Sequence, residues 1–476
     1  MLYTMAERPV RPQSSPECMS KFQQLIDFFT LAIDRGDYQL GDKLPSLRSV
    51  CQTHQVSMTT AKKAFYELER LAYVEAEPRA AFRVIVAGQG RKIDALAAGE
   101  FDPLCLLENV AAPWGSPFIN ADLLDTRALN RELMRAMASY PQALNHQPML
   151  GLDQLRRQIA RMYHSEGVHL HWENLIVTCG GMEALSLAIQ AVVQGISKPC
   201  LAVVTPAFPG VLSLIRQLGI SVVEVASEPY LDLPTLGVLL QEQAITALLV
   251  MPNFQHPSGR CMPEADKQAL LDLAYQHQLA IIEDDTYRAL HFSGQAPLPL
   301  KAYDRLGLVL HCCSFSKTIA PGYRVGWIEP GRWSDRIRAL KFCSSLSSPL
   351  PSQLALAALL AGDLHTRSIA KLRTELQKRT DAMRTDILAC FPAGTQVEIP
   401  AGGYLLWITL PQAIDLSALL KKALAKGIHF APGWLCYPQG GPLCKQMRLN
   451  ASFYLGQREE LGWLGEGIVC EMKQTG

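Results

Sequence analysis

One lysine in this sequence has the surroundings expected of a group that does covalent chemistry. Lys317 lies in the segment SFSK, at the end of the apolar run LGLVLHCC. A lysine that is partly uncharged in a dry cleft attacks a carbonyl carbon and forms an imine. A single lysine among serines predicts little, so its meaning depends on the other side chains that reach the same place.

Other candidate ligand-binding side chains also follow apolar segments. The motif TPAFPG offers Phe208, and PNFQHPSG offers Asn253 and His256. The motif IIEDDTYRAL offers Asp284 and, three residues later, Tyr287. Each of these alone fits a surface turn or a core aromatic, and an aspartate that ends a buried strand needs a cation or a donor. Their repeated position after a strand favours a shared site.

The elements that position these side chains alternate between strands and helices. Segments typical of buried strands are NLIVT, CLAVVTP, ISVVEV, ITALLVMP, LAIIEDD and LGLVLHCCS, and helical segments such as MEALSLAIQAVV separate them. This pattern predicts an α/β unit with a mainly parallel sheet and helices on both faces. Because ligands bind at the carboxyl ends of such strands, we expect one cleft there.

The cleft has the groups that pyridoxal 5′-phosphate requires. This cofactor needs an imine-forming lysine, donors for its phosphate, a carboxylate at its ring nitrogen, a donor to its ring hydroxyl and an aromatic face. Glycines before a helix, as in CGGMEAL, allow a phosphate to approach backbone amides. The candidates are Lys317 for the imine, Gly181, Met182, Ser314 and Arg324 for phosphate, Asp284 for the nitrogen, Tyr287 for the hydroxyl and Phe208 for stacking, with Asn253, His256 and Ser316 as further cofactor-binding residues.

The composition indicates a folded protein with more than one domain. The 476 residues exceed the usual domain length of about 100 to 200, and hydrophobic residues make up 49%. A net charge of +1 means that any nucleic-acid interface must be a local patch. Thirteen scattered cysteines without a CxxC pair favour a reduced compartment over disulfides or a metal site. With no apolar segment of signal-peptide or membrane-spanning length, we expect a cytoplasmic protein without bound metal.

The N-terminal part has a different pattern, with three short helices and a hairpin. Apolar residues recur at helical spacing from Phe22 to Ile33, and Gly36 is expected to end that helix. Ser46 and Ser57 are predicted caps of two further helices. The last carries Thr59, Thr60, Lys62 and Lys63 near its start, which is the layout of a helix-turn-helix with a wing in YVEAEPRAAFRVIV. A helical bundle with solvated lysines is the alternative from pattern alone.

The segments GDKLPSLRSV, QVSMTTAKKAFYELERLAYVEA and FRV resemble the winged helix of the GntR family. The resemblance implies DNA contacts from Ser46, Arg48, Ser57, Thr59 and Thr60. Two features depart from the family: Met58 stands where an arginine is usual, and the wing PRAAF has no glycine. Because base contacts determine sequence preference, we expect DNA binding with altered specificity.

The later motifs resemble class I aminotransferases of fold type I. These are CGGMEAL, TPAFPG, PNFQHPSG, IIEDDTYRAL, SFSKTIAPGYRVGW, GGYLLWITLP and MRLNAS, in the family's order. The resemblance implies a small C-terminal α+β subdomain, a homodimer, and a substrate carboxylate bound by Arg448. His256 replaces the usual asparagine that donates to the ring hydroxyl, and His146 replaces a tyrosine that reaches the neighbouring subunit's phosphate. The resemblance therefore implies that the cofactor binds, whereas the two histidine replacements count against efficient transamination.

Together the two parts resemble the MocR subgroup of GntR regulators. The predicted domains are a disordered lead-in (1–20), a winged helix (21–86), a linker (87–119) and an aminotransferase-like domain (120–476). The resemblance implies a bacterial transcription factor that binds operator DNA and senses a carboxylate-bearing amino compound through the aldimine of Lys317. The alternative is a working aminotransferase with a vestigial winged helix, which Met58 favours and the two histidine replacements oppose.

Overall fold

The computed structural model divides the chain into two compact units, residues 1–102 and 103–476. It describes residues 20–34, 36–77, 81–85, 110–140, 145–227, 230–242, 244–292, 294–441 and 443–475. The predicted lead-in up to residue 19, the tip of the predicted wing (78–80) and the predicted linker from 87 to 109 lie outside these ranges. Among the described helices, none is both long and apolar enough to cross a membrane.

The N-terminal unit consists of three helices and a two-stranded antiparallel sheet. They are α1 (Lys21–Asp34), α2 (Leu47–Thr53), α3 (Met58–Arg70), β1 (Val74–Glu77) and β2 (Ala81–Val84). Ser46 Oγ accepts from the backbone N–H of Ser49 at 3.2 Å, and Ser57 Oγ accepts from that of Thr60 at 3.1 Å. These bonds satisfy amides that have no acceptor within the helix, so both predicted caps are confirmed.

The core of this unit forms where the apolar stripes of α1 and α3 meet the hairpin. The Phe65 ring packs edge to face on Phe29 and on Phe82, with centroid distances of 5.1 and 5.2 Å. Ile33 and Leu68 are fully buried beside them. Because one face of α3 is used for this packing, its opposite face is left to solvent.

The large unit contains the remaining helices and strands. The helices are α4 (Thr126–Ser139), α5 (Asp153–Ser165), α6 (Gly181–Val193), α7 (Pro209–Gln217), α8 (Leu233–Glu242), α9 (Glu264–His277), α10 (Ser334–Ser344), α11 (Leu350–Ala361), α12 (Leu364–Cys390), α13 (Leu416–Leu424) and α14 (Arg458–Thr475). The strands are β3 (Ala112–Pro113), β4 (Ile176–Thr178), β5 (Cys200–Thr205), β6 (Ser221–Ala226), β7 (Ala247–Val250), β8 (Ala280–Asp284), β9 (Val309–Ser314), β10 (Gly326–Glu329), β11 (Gln396–Val397), β12 (Leu405–Asp415), β13 (Ile428–His429), β14 (Ala431–Pro432) and β15 (Leu443–Asn450).

The central sheet has the order β4-β10-β9-β8-β7-β5-β6. The pairs from β6 through β5, β7 and β8 to β9 are parallel, which confirms the α/β fold with a mainly parallel sheet. The sheet also contains β10, which runs antiparallel to both β4 and β9. The six strand segments read from the sequence do not include β10, because its four residues are too few for a clear period.

A smaller sheet of order β11-β12-β15-β14 lies in the C-terminal part, together with α12 to α14. Arg448 stands on β15 between two partner strands, opposite Trp407 of β12 and Ala431 of β14. The described end of the predicted linker packs into the same unit: β3 pairs with β13, and Trp114 is fully buried. The large unit thus begins its packing before residue 120.

Candidate functional site

Lys317 lies at the carboxyl edge of the central sheet, in a short 3-10 turn that follows β9. Its Nζ donates to the carbonyl oxygen of Pro117 at 2.8 Å and lies 5.3 Å from the centroid of Phe118 and 5.9 Å from that of Tyr287. Burial, and next the positive charge of Arg448, lower the pKa of Lys317 to about 8. A substantial fraction of the amine is therefore uncharged near neutral pH, as nucleophilic attack requires.

Asp284 and Tyr287 lie at the end of β8, beside the strand that leads to the lysine. The Asp284 carboxylate accepts from the hydroxyl of Thr286 at 2.6 Å and from its backbone N–H at 3.2 Å. Burial raises the pKa of Asp284, and the Thr286 bonds oppose that rise. Tyr287 donates to the hydroxyl of Tyr404 at 3.4 Å, and burial raises its pKa to about 12. A buried carboxylate and a protonated phenol thus stand side by side.

A candidate phosphate cradle lies at the start of α6. Gly180 has a φ of +84°, and a Cβ there would lie 2.7 Å from Nη2 of Arg324. That nitrogen donates to the carbonyl of Cys179 at 3.1 Å. A Cβ on Gly181 would lie 3.6 Å from Ser314 Oγ, so a predicted phosphate donor faces the helix start. Glycine here leaves room for an anion beside backbone amides and a guanidinium.

Two more predicted residues complete this end of the cleft. Met182 follows Gly181 in the first turn of α6, where backbone N–H groups have no acceptor within the helix. Ser316 is buried, and its Oγ has no hydrogen-bond partner among the described residues. A buried hydroxyl without a partner is unusual and marks a place for a ligand.

His256 and Arg448 form a buried pair on the other side of the cleft. Arg448 Nη1 lies 2.9 Å from His256 Nε2, and Arg448 Nη2 donates to the carbonyl of Gly115. Burial lowers the pKa of Arg448. The ring of Phe208 packs edge to face on His256, 5.2 Å between centroids, and both line a cavity with Asp284. The carboxylate-binding candidate and the ring-binding candidates therefore meet in one place.

Two predicted residues are not part of this group. The Asn253 amide nitrogen donates to Asp285 at 2.8 Å, and its oxygen accepts from Lys267 Nζ at 2.6 Å. The polar atoms of Asn253 are thus satisfied by these two residues and not by Lys317. Its partner Lys267 lies in α9, beyond the motif, so the motif does not reveal this contact. His146 is exposed in the single chain.

A network of buried charges lies on β8 and β9 behind the cleft. His311 Nδ1 lies 3.0 Å from the Glu283 carboxylate, and its Nε2 lies 2.8 Å from the hydroxyl of Tyr163. Arg288 Nε lies 3.2 Å from Asp285, whose pKa burial and the charge of Glu283 raise to about 7. Three potential metal ligands occur here, but each has a protein partner, so the network supports the strand ends without requiring an ion.

Sequence reasoning missed the contribution of the backbone from Trp114 to Phe118. The carbonyl of Pro117 accepts from Lys317 and also from the Tyr404 hydroxyl at 3.1 Å. Asn450 and Arg448 hold neighbouring carbonyls of the same stretch. Backbone acceptors have no signature in a sequence, so the motifs could not reveal this contribution.

The predicted DNA-contacting residues lie at the starts of α2 and α3. Exposed side chains at the starts of α2 and α3 are Ser46, Arg48, Ser57, Thr59, Lys62 and Lys63, and Thr60 is half-buried. Lys62 Nζ lies 5.7 Å from the ring centroid of Tyr66. Met58 is 45% exposed, so it stands where a base-reading side chain is expected. The α3 surface opposite the core thus presents cations and hydroxyls.

Comparison with known proteins assigns both parts of the chain. The pattern of the family "Aminotransferase class I and II" matches residues 121–445, and that of "Bacterial regulatory proteins, gntR family" matches residues 24–84. The chain is 32% identical to YdcR of Escherichia coli, an uncharacterised HTH-type transcriptional regulator, over 93% of this chain and 97% of that protein. This chain is a MocR-type regulator of the GntR family. A second E. coli regulator, YjiR, is 30% identical over 96% of the MocR-type chain and all of its own length.

The fold of the large unit is that of the aminotransferases. The multiple substrate aminotransferase of Thermococcus profundus superposes with a TM-score of 0.72 and 23% identity, covering 81% of this chain and 98% of that one. The cofactor of this fold is pyridoxal 5′-phosphate, and the donor set of the MocR-type regulator fits it. The buried partnerless atoms of Ser316, His256 and Arg448, the glycine cradle and the lysine of lowered pKa are all features that a bound cofactor explains.

Proposed function

We propose that this transcriptional regulator senses an amino compound by binding pyridoxal phosphate covalently on Lys317. The effector would carry a carboxylate that pairs with Arg448 and an amino group that would replace Lys317 at the cofactor's aldehyde carbon, which would return the lysine to its free amine form. Effector binding changes the affinity of the winged helix for operator DNA. The regulator acts as a homodimer in the cytoplasm, where a bacterial chromosome is read.

The observation that carries this proposal is that one stretch of backbone accepts hydrogen bonds from both Lys317 and Arg448. Lys317 donates to the carbonyl of Pro117, and Arg448 donates to that of Gly115. Both carbonyls lie just after the part of the chain that joins the two units. The effector's carboxylate would take Arg448 from the Gly115 carbonyl, and a cofactor bonded to Lys317 would take that amine from the Pro117 carbonyl, so ligand occupancy would change how this stretch of backbone is held.

The energetic basis of the response is linkage. An effector changes an equilibrium only by the difference between its affinities for two states, and typical couplings change affinity 5- to 150-fold. Before the effector binds, the carbonyl of Gly115 satisfies Arg448; after it binds, the effector's carboxylate would do so, and the Lys317 amine that the effector frees would donate to the carbonyl of Pro117. The effector stabilises the second state because a carboxylate forms stronger bonds to a guanidinium than a neutral carbonyl does.

The residues of the cleft have separate roles in this scheme. Pyridoxal phosphate supplies an aldehyde that condenses with an amine, with loss of water, and a ring nitrogen that withdraws electrons when protonated. Asp284 would keep the proton on that nitrogen, Tyr287 would donate to the ring hydroxyl, and Phe208 would cover the ring. Gly181, Met182, Ser314, Ser316 and Arg324 would hold the phosphate, and His146 of the partner subunit would reach it in the homodimer.

The winged helix supplies the DNA-binding surface. Lys62 and Lys63 of α3 meet phosphates, whereas Arg48 at the start of α2 and Thr59 at the start of α3 reach base edges. Arg48→Ala should weaken binding to a DNA fragment from upstream of the regulator's own gene. Arg70→Ala is the matched control, since Arg70 is exposed at the far end of α3 and pairs with Glu67. Equal binding by both variants would argue against this surface.

The second candidate function is a working aminotransferase. It is favoured by the presence of Lys317, Asp284, Tyr287 and Arg448 together at the cleft. The two functions differ in a single-turnover experiment: an aminotransferase converts the bound cofactor to its amine form and releases an oxo acid, whereas a sensor binds the amino compound without releasing a product. The absorption spectrum and the analysis of released oxo acids distinguish them.

The test of the sensor is a DNA-binding titration with and without ligands. Fluorescence anisotropy of the upstream fragment is measured with the cofactor and a panel of amino acids, and at least one should change the dissociation constant 5-fold or more. Lys317→Ala should abolish this response and borohydride trapping of the cofactor while DNA binding persists. Lys445→Ala, at an exposed lysine, should change neither. A protein that binds no cofactor, or loaded protein indifferent to every compound, would refute the proposal.

A further inference from the structure

The contact between His256 and Arg448 determines which nitrogen of the histidine ring carries the proton. His256 is 2% exposed and Arg448 is 1% exposed, and the 2.9 Å contact joins Nη1 to Nε2. A guanidinium has only donors, so the histidine nitrogen that faces it must be the acceptor. The other ring nitrogen, Nδ1, therefore carries the proton.

The electrostatics of the site agree with a neutral imidazole. Burial lowers the pKa of His256 well below its usual range, and the charges of Arg448 and Lys317 lower it further. The aromatic edge of Phe208 also faces the ring, Asp284 lines the same cavity, and the backbone of His256 itself acts in the opposite direction to the two cations. A second proton on the ring would add a third positive charge to the same buried place.

The protonated nitrogen is the one without a partner. His256 Nδ1 is fully buried, and no described residue accepts from it. The ring lines the cavity that Phe208 and Asp284 also line. A buried donor without an acceptor is rare in proteins and indicates that a ligand provides the acceptor.

We propose that Arg448 is a positioning residue for His256 as well as the binder of the ligand carboxylate: it keeps the His256 proton on Nδ1, which donates to the ring oxygen of the bound cofactor. This inference rests on the proposed function. An asparagine offers its amide donor without help, whereas a histidine offers this donor only in the tautomer that Arg448 imposes. The histidine thus makes the cofactor subsite depend on the carboxylate subsite.

The tautomer is measured first, on full-length protein without cofactor. In a long-range proton–nitrogen correlation of histidine-labelled protein, the signals lost in His256→Asn identify the ring. We expect Nδ1 protonated and Nε2 unprotonated from pH 6 to 8. Free neutral histidine prefers the opposite tautomer, so a proton on Nε2, or an imidazolium at pH 7, would overturn the inference without any variant of Arg448.

The coupling is measured by cofactor affinity in a double-mutant cycle. Arg448→Met in the wild-type background should weaken pyridoxal phosphate binding about tenfold, the effect of one buried hydrogen bond. In the His256→Asn background the same change should have an effect below about twofold, because the amide needs no tautomer. Arg448→Lys, which retains a donor, should preserve the Nδ1-protonated signal. Equal losses in both backgrounds would show that Arg448 acts without His256.

The two measurements separate this inference from the proposed function. If the protein bound no cofactor at all, the sensor proposal would fail. The tautomer measurement would still show whether Arg448 keeps the His256 proton on Nδ1. If Arg448→Met failed to fold, shown by loss of its thermal transition, the wild-type tautomer and the Arg448→Lys signal would remain decisive. A cofactor-binding protein with the wrong tautomer would refute only the coupling.

Discussion

The acidity of Lys317 is predicted to differ strongly from that of an ordinary lysine. Burial and the charge of Arg448 lower its pKa from 10.5 to about 8, while Asp284 acts in the opposite direction. At pH 7 a group with a pKa of 8 is about one tenth neutral, whereas one with a pKa of 10.5 is neutral in about 3 of 10,000 molecules. The Lys317 amine should therefore be about 300-fold richer in its reactive form.

Competitive labelling of the cofactor-free protein measures this property. A small acylating reagent is added in trace amount from pH 6 to 11, and mass spectrometry gives the labelling rate of the Lys317 peptide. The exposed Lys445 serves as an internal reference for reagent reactivity. Limited access to the cleft scales the Lys317 rate equally at every pH, so the midpoint of its profile is unaffected. We expect the rate to rise with pH and reach half its plateau near pH 8.

Two substitutions test the causes separately. Arg448→Met removes a positive charge and should move the Lys317 midpoint to higher pH, though not as far as 10.5, since burial is the larger cause. Asp284→Asn removes a negative charge and should move it to lower pH. A wild-type profile that rises only above pH 10, or shifts with these signs reversed, would refute the electrostatic account of the cleft.

Three other substitutions test the packing of the DNA-binding unit, a buried ion pair of the large unit and the candidate phosphate cradle. Phe65→Ala removes a buried ring that packs on two other phenylalanines and should destabilise the DNA-binding unit by about 3 to 5 kcal/mol, seen as a lower midpoint of that unit's thermal transition. Lys341→Met leaves Glu183 without the cation 3.1 Å away and should cost about 3 kcal/mol in urea unfolding, with partial recovery when Glu183→Gln is added. Gly180→Ala places a Cβ against Arg324 and should weaken cofactor retention in dialysis, while the circular dichroism spectrum is unchanged.

The parts of the structure that follow local rules were predictable from the sequence. The caps at Ser46 and Ser57 and the stripe of α3 depend on residues a few positions apart, so a single sequence contains the information. The cleft at the strand ends was predictable for a related reason. Parallel strands bring their carboxyl ends to one edge, which places Asp284 near Lys317 without knowledge of side-chain contacts.

The contacts that were not predictable join distant residues through groups without a sequence signature. Arg448 and Gly115 are 333 positions apart, and the acceptor is a backbone carbonyl. Asn253 seemed to belong to the cleft because of its place after β7, yet Lys267 and Asp285 engage its amide. Position along a strand predicts which edge a residue reaches, but competition among neighbours decides which way its polar atoms point.

In the proposed sensor, the response would depend on how the buried side chains of Lys317 and Arg448 are satisfied. A neutral carbonyl oxygen is a weaker partner for a cation than a carboxylate, because the carboxylate carries a full negative charge. The segment from Gly115 to Pro117 satisfies the two side chains enough to keep them folded inward, but a charged ligand gains more from the same donors. Two carboxylates in place of these carbonyls would neutralise the cations permanently and leave a ligand little to gain. In the proposed sensor, the neutral and replaceable carbonyl of Gly115 would let a ligand carboxylate take Arg448 from its backbone acceptor, and this exchange is the step by which ligand binding would act on the segment from Gly115 to Pro117.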